Sequence, residues 1–322
     1  MTAKIVQLPD MLAARKIISG RVHRTPMVRS SYFSERTHTE LYLKLELFQK
    51  TGSFKVRGVS NKLSSLSGKE KKQGVISLSA GNHAQAVAWG AAQFGIPATL
   101  IMPEKSVQSK LEATRGYGGE VLTTAGNLLD FCLSVQKERG LLLIHPFDDP
   151  MIIAGHSTAG LEIIEEVPEV DYVIVGVGGG GLISGISAAI KAKRPQAKVI
   201  GVEPEGAPTM TRSLEKGVPV HLETLDTVAD GLAAPFVGQH NLEHVRKFVD
   251  DLVLVSDAEI LHALKLIWER CKVLAEPAGA ASMAALLSNK VKVPAGATVV
   301  CMISGGNVDL GSIHKLINSS QS

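Results

Sequence analysis

Apolar positions along this chain come in two textures. Short runs that are apolar at nearly every position, VISLS (75–79), ATLIM (98–102), EVLT (120–123), LLLIH (141–145), YVIVG (172–176), KVIGVE (198–203) and TVVCMI (298–303), alternate with longer Ala-rich segments at helical spacing. A run that does not alternate suits a parallel strand covered on both faces, and the intervening helices would supply the covers. The pattern therefore predicts an α/β fold. Ser256 and Glu259 have the spacing of a capping box, which predicts a helix over 257–272. No linker, low-complexity tract or repeat interrupts the chain.

Composition narrows the partners. With 322 residues, 45% of them hydrophobic and 20% charged, the chain can bury a large core and has room for two domains. The formal net charge is only +3, and Lys and Arg are scattered, so no electrostatic stripe for nucleic acid is present and a small substrate is expected. Cys132, Cys271 and Cys301 are odd in number, widely separated and set in apolar stretches. They read as core thiols of a cytoplasmic protein rather than a disulfide framework. The opening segment MTAKIVQLPDMLAARKIISG is too broken by charge for a secretory signal, and no apolar run approaches the roughly 18 residues of a membrane span.

Candidate chemistry begins at 171-DYVIVGVGGGGLISGISAAIKAK-193, where an apolar strand runs into Gly178, Gly179, Gly180 and Gly181 and then a helix. Backbone N–H groups without side chains can approach phosphate oxygens, and the helix N-terminus adds partial positive charge. A plain tight turn is the bland alternative, but four consecutive glycines cost more backbone entropy than a turn requires. A sharper rival is a dinucleotide fingerprint, since Gly176, Gly178 and Gly181 satisfy G-x-G-x-x-G and Glu203 ends the next run.

The segment 49-QKTGSFKVRG-58 argues against that rival by setting Lys55 among Thr51, Ser53, Phe54 and Gly58. A single lysine in such a loop would ordinarily be a solvated surface residue. Another strand-loop-helix junction, 79-SAGNHAQAVAWG-90, offers Ser79, Asn82 and His83 beside Gly81, a set of donors suited to a carboxylate. Taken alone, Asn82 and His83 would read first as helix capping.

The motifs TGSFKVRG, SAGNHAQA, VGGGGLISG, EPAGA (276–280) and SGGNVDL (304–310) occur in that order across nearly the whole chain. In this the sequence resembles the fold-type II pyridoxal phosphate enzymes, most of all the catabolic threonine/serine dehydratases, with serine racemases next. The resemblance implies a tryptophan-synthase-β-like fold: two parallel-sheet α/β domains with the active site between them, a large domain of 1–72 plus 147–322 and a smaller one of 73–146 inserted. It implies Lys55 as the Schiff-base lysine, Phe54 against the ring, Asn82 near the ring hydroxyl, Gly178 to Gly181 around the phosphate and Ser304 at the pyridine nitrogen. A neutral hydroxyl there would not enforce ring protonation. It further implies Ser79, Asn82 and His83 for the substrate carboxylate, and Glu276 near the cofactor, although Glu276-Pro277 also makes sense as a helix start.

The implied reaction is β-elimination. The Lys55 amine takes the Cα proton, the β-hydroxyl leaves, and serine yields pyruvate, or threonine 2-oxobutyrate, with ammonia. About a dozen residues follow SGGNVDL, leaving no room here for the regulatory domain of biosynthetic relatives. Ala80 stands where the racemases carry a serine whose hydroxyl reprotonates Cα, which disfavours racemisation. The resemblance also implies a monovalent or divalent cation at Glu203 and the Ala207 carbonyl, although Thr209 replaces the aspartate of metal-dependent racemases. A homodimer or tetramer is implied by likeness alone.

Overall fold

A computed structural model describes residues 3–313 and 316 of the chain. Ten strands are formed among them: β1 (Met27–Arg29), β2 (Glu40–Leu45), β3 (Val75–Leu78), β4 (Ala98–Pro103), β5 (Glu120–Thr124), β6 (Leu142–Leu143), β7 (Tyr172–Gly176), β8 (Lys198–Pro204), β9 (Asp251–Val255) and β10 (Thr298–Ile303). They make a six-stranded sheet in the order β1-β2-β10-β7-β8-β9 and a four-stranded sheet in the order β5-β4-β3-β6. Every pairing is parallel except β1 with β2.

The run-type strands sit where their composition suits them. Every residue of β7 is buried, as are Val299 to Ile303 of β10, because helices cover both faces of the larger sheet. Burying each such Val, Ile or Leu contributes about 1.5–3 kcal/mol. β5 differs. It is an edge strand whose residues are all at least partly accessible, so its apolar run is only partly covered. Three strands escape the pattern: β1 has three residues, β2 reads ELYLKL with a charge near each end, and β9, DLVLV, opens on a charged residue.

The charge that hides β2 is Lys44, which is wholly buried and donates to the Thr25 carbonyl at 2.8 Å while pairing with Glu162 at 2.7 Å. Glu162 also receives two hydrogen bonds from Arg57, at 2.6 and 2.8 Å, and Arg57 forks onto Glu46 with two more at 2.8 Å. Two cations and two carboxylates thus neutralise each other in the interior. This cluster ties the helix Lys55–Ser64 to the helix Pro150–Glu166 and to the loop after β2. The two helices cross closely, since a Cβ on Gly155 would collide with the Arg57 carbonyl and Gly58.

The capping box at Ser256 and Glu259 forms, and the helix it starts runs regularly over Asp257–Leu266. Its last turn, Ile267–Cys271, is π-wound and ends at Lys272 with φ 58°. Cys132 and Cys301 are core thiols, whereas Cys271 is only partly covered and lies 3.9 Å from the Ser30 hydroxyl. No helix among the described residues is long and apolar enough to cross a membrane.

Candidate active site

The loops following β3, β7 and β10 leave the carboxyl ends of their strands toward one cleft of about 610 Å³, where open α/β sheets commonly bind ligands. The cleft is lined by Phe54, Lys55, Ser79, Asn82, His83, Gly178 to Gly181, Glu276 and Ser304. Lys55 is carried in on a loop tied to the end of β10: Ser53 bridges to Gly305, and the Phe54 N–H donates to the Ser304 carbonyl at 3.1 Å. Phe54 packs edge-on against the His156 ring.

Lys55 opens the helix Lys55–Ser64 and is only partly reached from the cleft. Its amine donates to the Pro146 carbonyl at 3.0 Å. Desolvation pulls its pKa down to about 8, against an opposing pull from Glu276. The neighbouring imidazoles stay neutral: burial, then Lys55, holds His83 well below its usual range and His156 at about 3, and burial lowers His145. An amine easily deprotonated near neutral pH is the state a nucleophile or base requires.

Across the cleft, Gly180 adopts φ 92° and Gly181 begins the helix Gly181–Lys193, whose first N–H groups have no intrahelical acceptor. A side chain on Gly179 would run into the Phe147 ring, and one on Gly178 would press closely on the Leu232 backbone. The Gly179 carbonyl is fixed by the Asn241 amide at 2.9 Å. These glycines are thus required for close packing as well as for an anion cradle.

At the third loop the capping reading of Asn82 fails. Gly81 is the N-cap, and the Asn82 amide instead donates to Glu276 at 2.6 Å. The Ser79 hydroxyl accepts the Gly81 N–H at 3.1 Å, while His83 Nδ1 is buried without a partner among the described residues. Glu276 occupies the N-cap of the helix Pro277–Leu287, as its Glu-Pro sequence suggests, but its side chain caps nothing. Burial and nearby Asp230 push its carboxyl up to about 7, opposed by Lys110 and the Asn82 amide.

Glu203 and Ala207 lie outside this cleft. The Glu203 carboxylate accepts from the Met210 N–H at 2.7 Å, the Thr211 N–H at 2.8 Å and the Thr211 hydroxyl at 2.6 Å, so it is occupied with the start of the next helix. Thr209 donates to the Ala234 carbonyl. Among the described residues no group of three or more His, Cys, Asp or Glu is placed to hold a metal. Glu203 does not line the cleft that the glycine loop enters, which weakens the dinucleotide reading.

Several cleft residues have no local sequence signal. Pro146 and Phe147 follow a minimal strand, and Lys110 reaches from the helix Gln108–Gly116 to pair with Asp230 at 2.6 Å.

A glycine cradle facing a partly desolvated lysine fits a cofactor that carries both a phosphate and an aldehyde, and comparison with known proteins agrees. The family model described as pyridoxal-phosphate dependent enzyme matches residues 18–305, and the chain belongs to that family. It is 47% identical to an L-threonine ammonia-lyase of Thermotoga maritima over 318 residues, covering 98% of this chain and 79% of the relative. Among solved structures it is similar to maize serine racemase, with TM-score 0.92, 37% identity and 99% and 98% coverage of this chain and that one. The threonine deaminase of T.th. gives TM-score 0.89 and 39% identity, covering 94% and 99%.

Proposed function

We propose that the chain is an ammonia-lyase that eliminates the β-hydroxyl of L-threonine or L-serine, releasing ammonia and 2-oxobutyrate or pyruvate. The observation that carries this reading is the Lys55 amine, partly desolvated and facing the glycine cradle across one cleft. Similarity to threonine ammonia-lyases over nearly the whole chain supports the substrate class. Gly178 to Gly181 would hold the cofactor phosphate, Phe54, Asn82 and Ser304 would frame its ring, and Lys55 would anchor its aldehyde. Pyridoxal phosphate, when bound, supplies the electron sink that makes the Cα proton removable.

The remaining work falls to this chain's own groups. Ser79, Asn82 and the opening N–H groups of the helix Asn82–Gln93 orient the substrate carboxylate. The Lys55 amine, freed by substrate, takes the Cα proton and, as ammonium, can return it to the departing hydroxyl. The neutral imidazoles of His83 and His156 put no second positive charge beside it. The unit carrying β3 to β6, spanning about 73–146, would close over the amino acid and expel water.

Racemisation is the second reading, favoured by the likeness to maize serine racemase. Ala80 speaks against it, because return of a proton to the opposite face needs an acid and a methyl group has none. Incubation with L-threonine and L-serine decides between them. 2-Oxo acid should accumulate with little D-serine on chiral chromatography; D-serine appearing as fast as pyruvate would overturn the reading.

A further inference from the structure

The fourth residue of SGGNVDL, Asn307, has no part in the cleft chemistry above, yet it joins three of the loops that build the site. Its Nδ2 donates to the Thr51 carbonyl at 2.7 Å and to Asn82 Oδ1 at 2.8 Å, and Asn82 Nδ2 in turn donates to Glu276 Oε1 at 2.6 Å. We propose that Asn307 is a positioning residue that sets the orientation of the Asn82 amide and thereby presents an N–H donor, not an oxygen, to Glu276. This rests on the reading of Asn82 and Glu276 as working parts of the cleft.

The direction of the chain follows from chemistry. A backbone carbonyl can only accept, so Thr51 obliges Asn307 to turn its NH2 inward. That NH2 has two hydrogens, and the second is spent on Asn82. Asn82 must then offer its oxygen to Asn307 and its nitrogen to Glu276. Reversing either amide would set two acceptors against each other.

The backbone is built around these contacts. Gly52, at φ 72°, leaves space that a Cβ would take from Asn307 Oδ1, and a Cβ on Gly305 would collide with Glu276 Oε1. Thr51 itself is left-handed, at φ 61° and ψ 16°, an outlying conformation for a β-branched residue, and its carbonyl points at Asn307. Glu276 is further surrounded by Asp230, Lys110, Lys55 and the Asn307 backbone amide. The two lysine amines donate elsewhere, Lys55 to the Pro146 carbonyl and Lys110 to Asp230, so Asn82 supplies the side-chain amide donor to Glu276. Without Asn307 the Asn82 amide is free to flip, and Glu276 then keeps its contact only by holding a proton.

The test is a double-mutant cycle in the holoenzyme with Asn307→Ala, Asn82→Ala and the pair, reading cofactor content, kcat, KM and the pH profile with L-threonine. Asn307→Ala is expected to retain stoichiometric cofactor and to lose about ten- to a hundred-fold in kcat/KM, the range for a hydrogen bond to a charged group. Whichever limb of its pH profile reports Glu276 should move to higher pH. In the Asn82→Ala background the same substitution should change neither rate nor profile appreciably. Equal losses in both backgrounds, or an Asn307→Ala profile that overlays wild type, would overturn the positioning role while leaving the lyase reading intact. A silent Asn82→Ala would overturn both the role of Asn82 and this proposal. Should Asn307→Ala fail to hold cofactor, Asn307→Ser, with one donor too short to serve both acceptors, carries the same comparison.

Discussion

A lysine is the least expected residue to find drawn out of water, and Lys55 is partly desolvated with no carboxylate in hydrogen-bonding contact among the described residues; its amine donates to the Pro146 carbonyl instead. That is why its pKa falls to about 8 rather than staying that of a surface ammonium. Lys55→Ala should remove the visible absorbance of the lysine-bound cofactor and lower 2-oxo acid formation by at least about 10²–10⁴-fold, the contribution of a positioned acid/base group. Ammonia release near the wild-type rate would show that another group does this work. Gly179→Asp tests the opposite wall. The new side chain meets the Phe147 ring and brings negative charge to a phosphate cradle, so cofactor should be lost on dialysis. Retention of stoichiometric cofactor by a folded Gly179→Asp protein would move the cradle elsewhere.

At the scale of elements, the helix that begins with Lys55 is held from behind by Arg57. Burial pushes the Glu46 carboxyl upward, but Arg57, with Thr25 and Lys44, overcomes this and leaves it below its usual value. Removing one partner of such a cluster strands a buried charge, which typically costs about 3–5 kcal/mol. Glu162→Ala leaves both Arg57 and Lys44 short of a carboxylate, so its unfolding free energy from urea titration should fall by that amount, and a value equal to wild type would mean that water enters the cluster. Nothing local announces this arrangement. Lys44 breaks the apolar pattern of β2, and only the packing of the helix Pro150–Glu166 across the strand supplies its counter-charge.

For the whole molecule, Glu203 makes stability depend on pH in the less common direction. Burial, opposed by the Thr211 hydroxyl and the N–H groups of Met210 and Thr211, raises its carboxyl from 4.5 to about 7. As pH climbs through that interval the unfolded chain gives up its proton first and the native protein keeps it, so this residue's contribution to stability falls with pH and levels off above about 7. Unfolding free energies measured across the interval should slope less steeply for Glu203→Gln than for wild type. Parallel slopes would show that the native carboxylate ionises normally.

The pattern of apolar runs and helical segments already determined the parallel α/β construction, because a residue buried on both faces is recorded in its own local sequence. β7 and β10 match their runs residue for residue, and the glycine, Lys55 and Asn82 motifs are contiguous stretches that could be read before any contact was known. What only the tertiary structure decided are the pairings. Asn82 reads as a cap until Glu276 and Asn307, far along the chain, take its amide. Glu203 simply ends an apolar run in the sequence, and only the fold shows that the Met210 N–H and the Thr211 N–H and hydroxyl donate to its oxygens. A side chain's partner is set by which loops the topology brings to one place, and helical or strand periodicity carries no record of that. The same holds for the π-wound turn at Ile267–Cys271, whose residues continue the apolar helical pattern while the backbone leaves it.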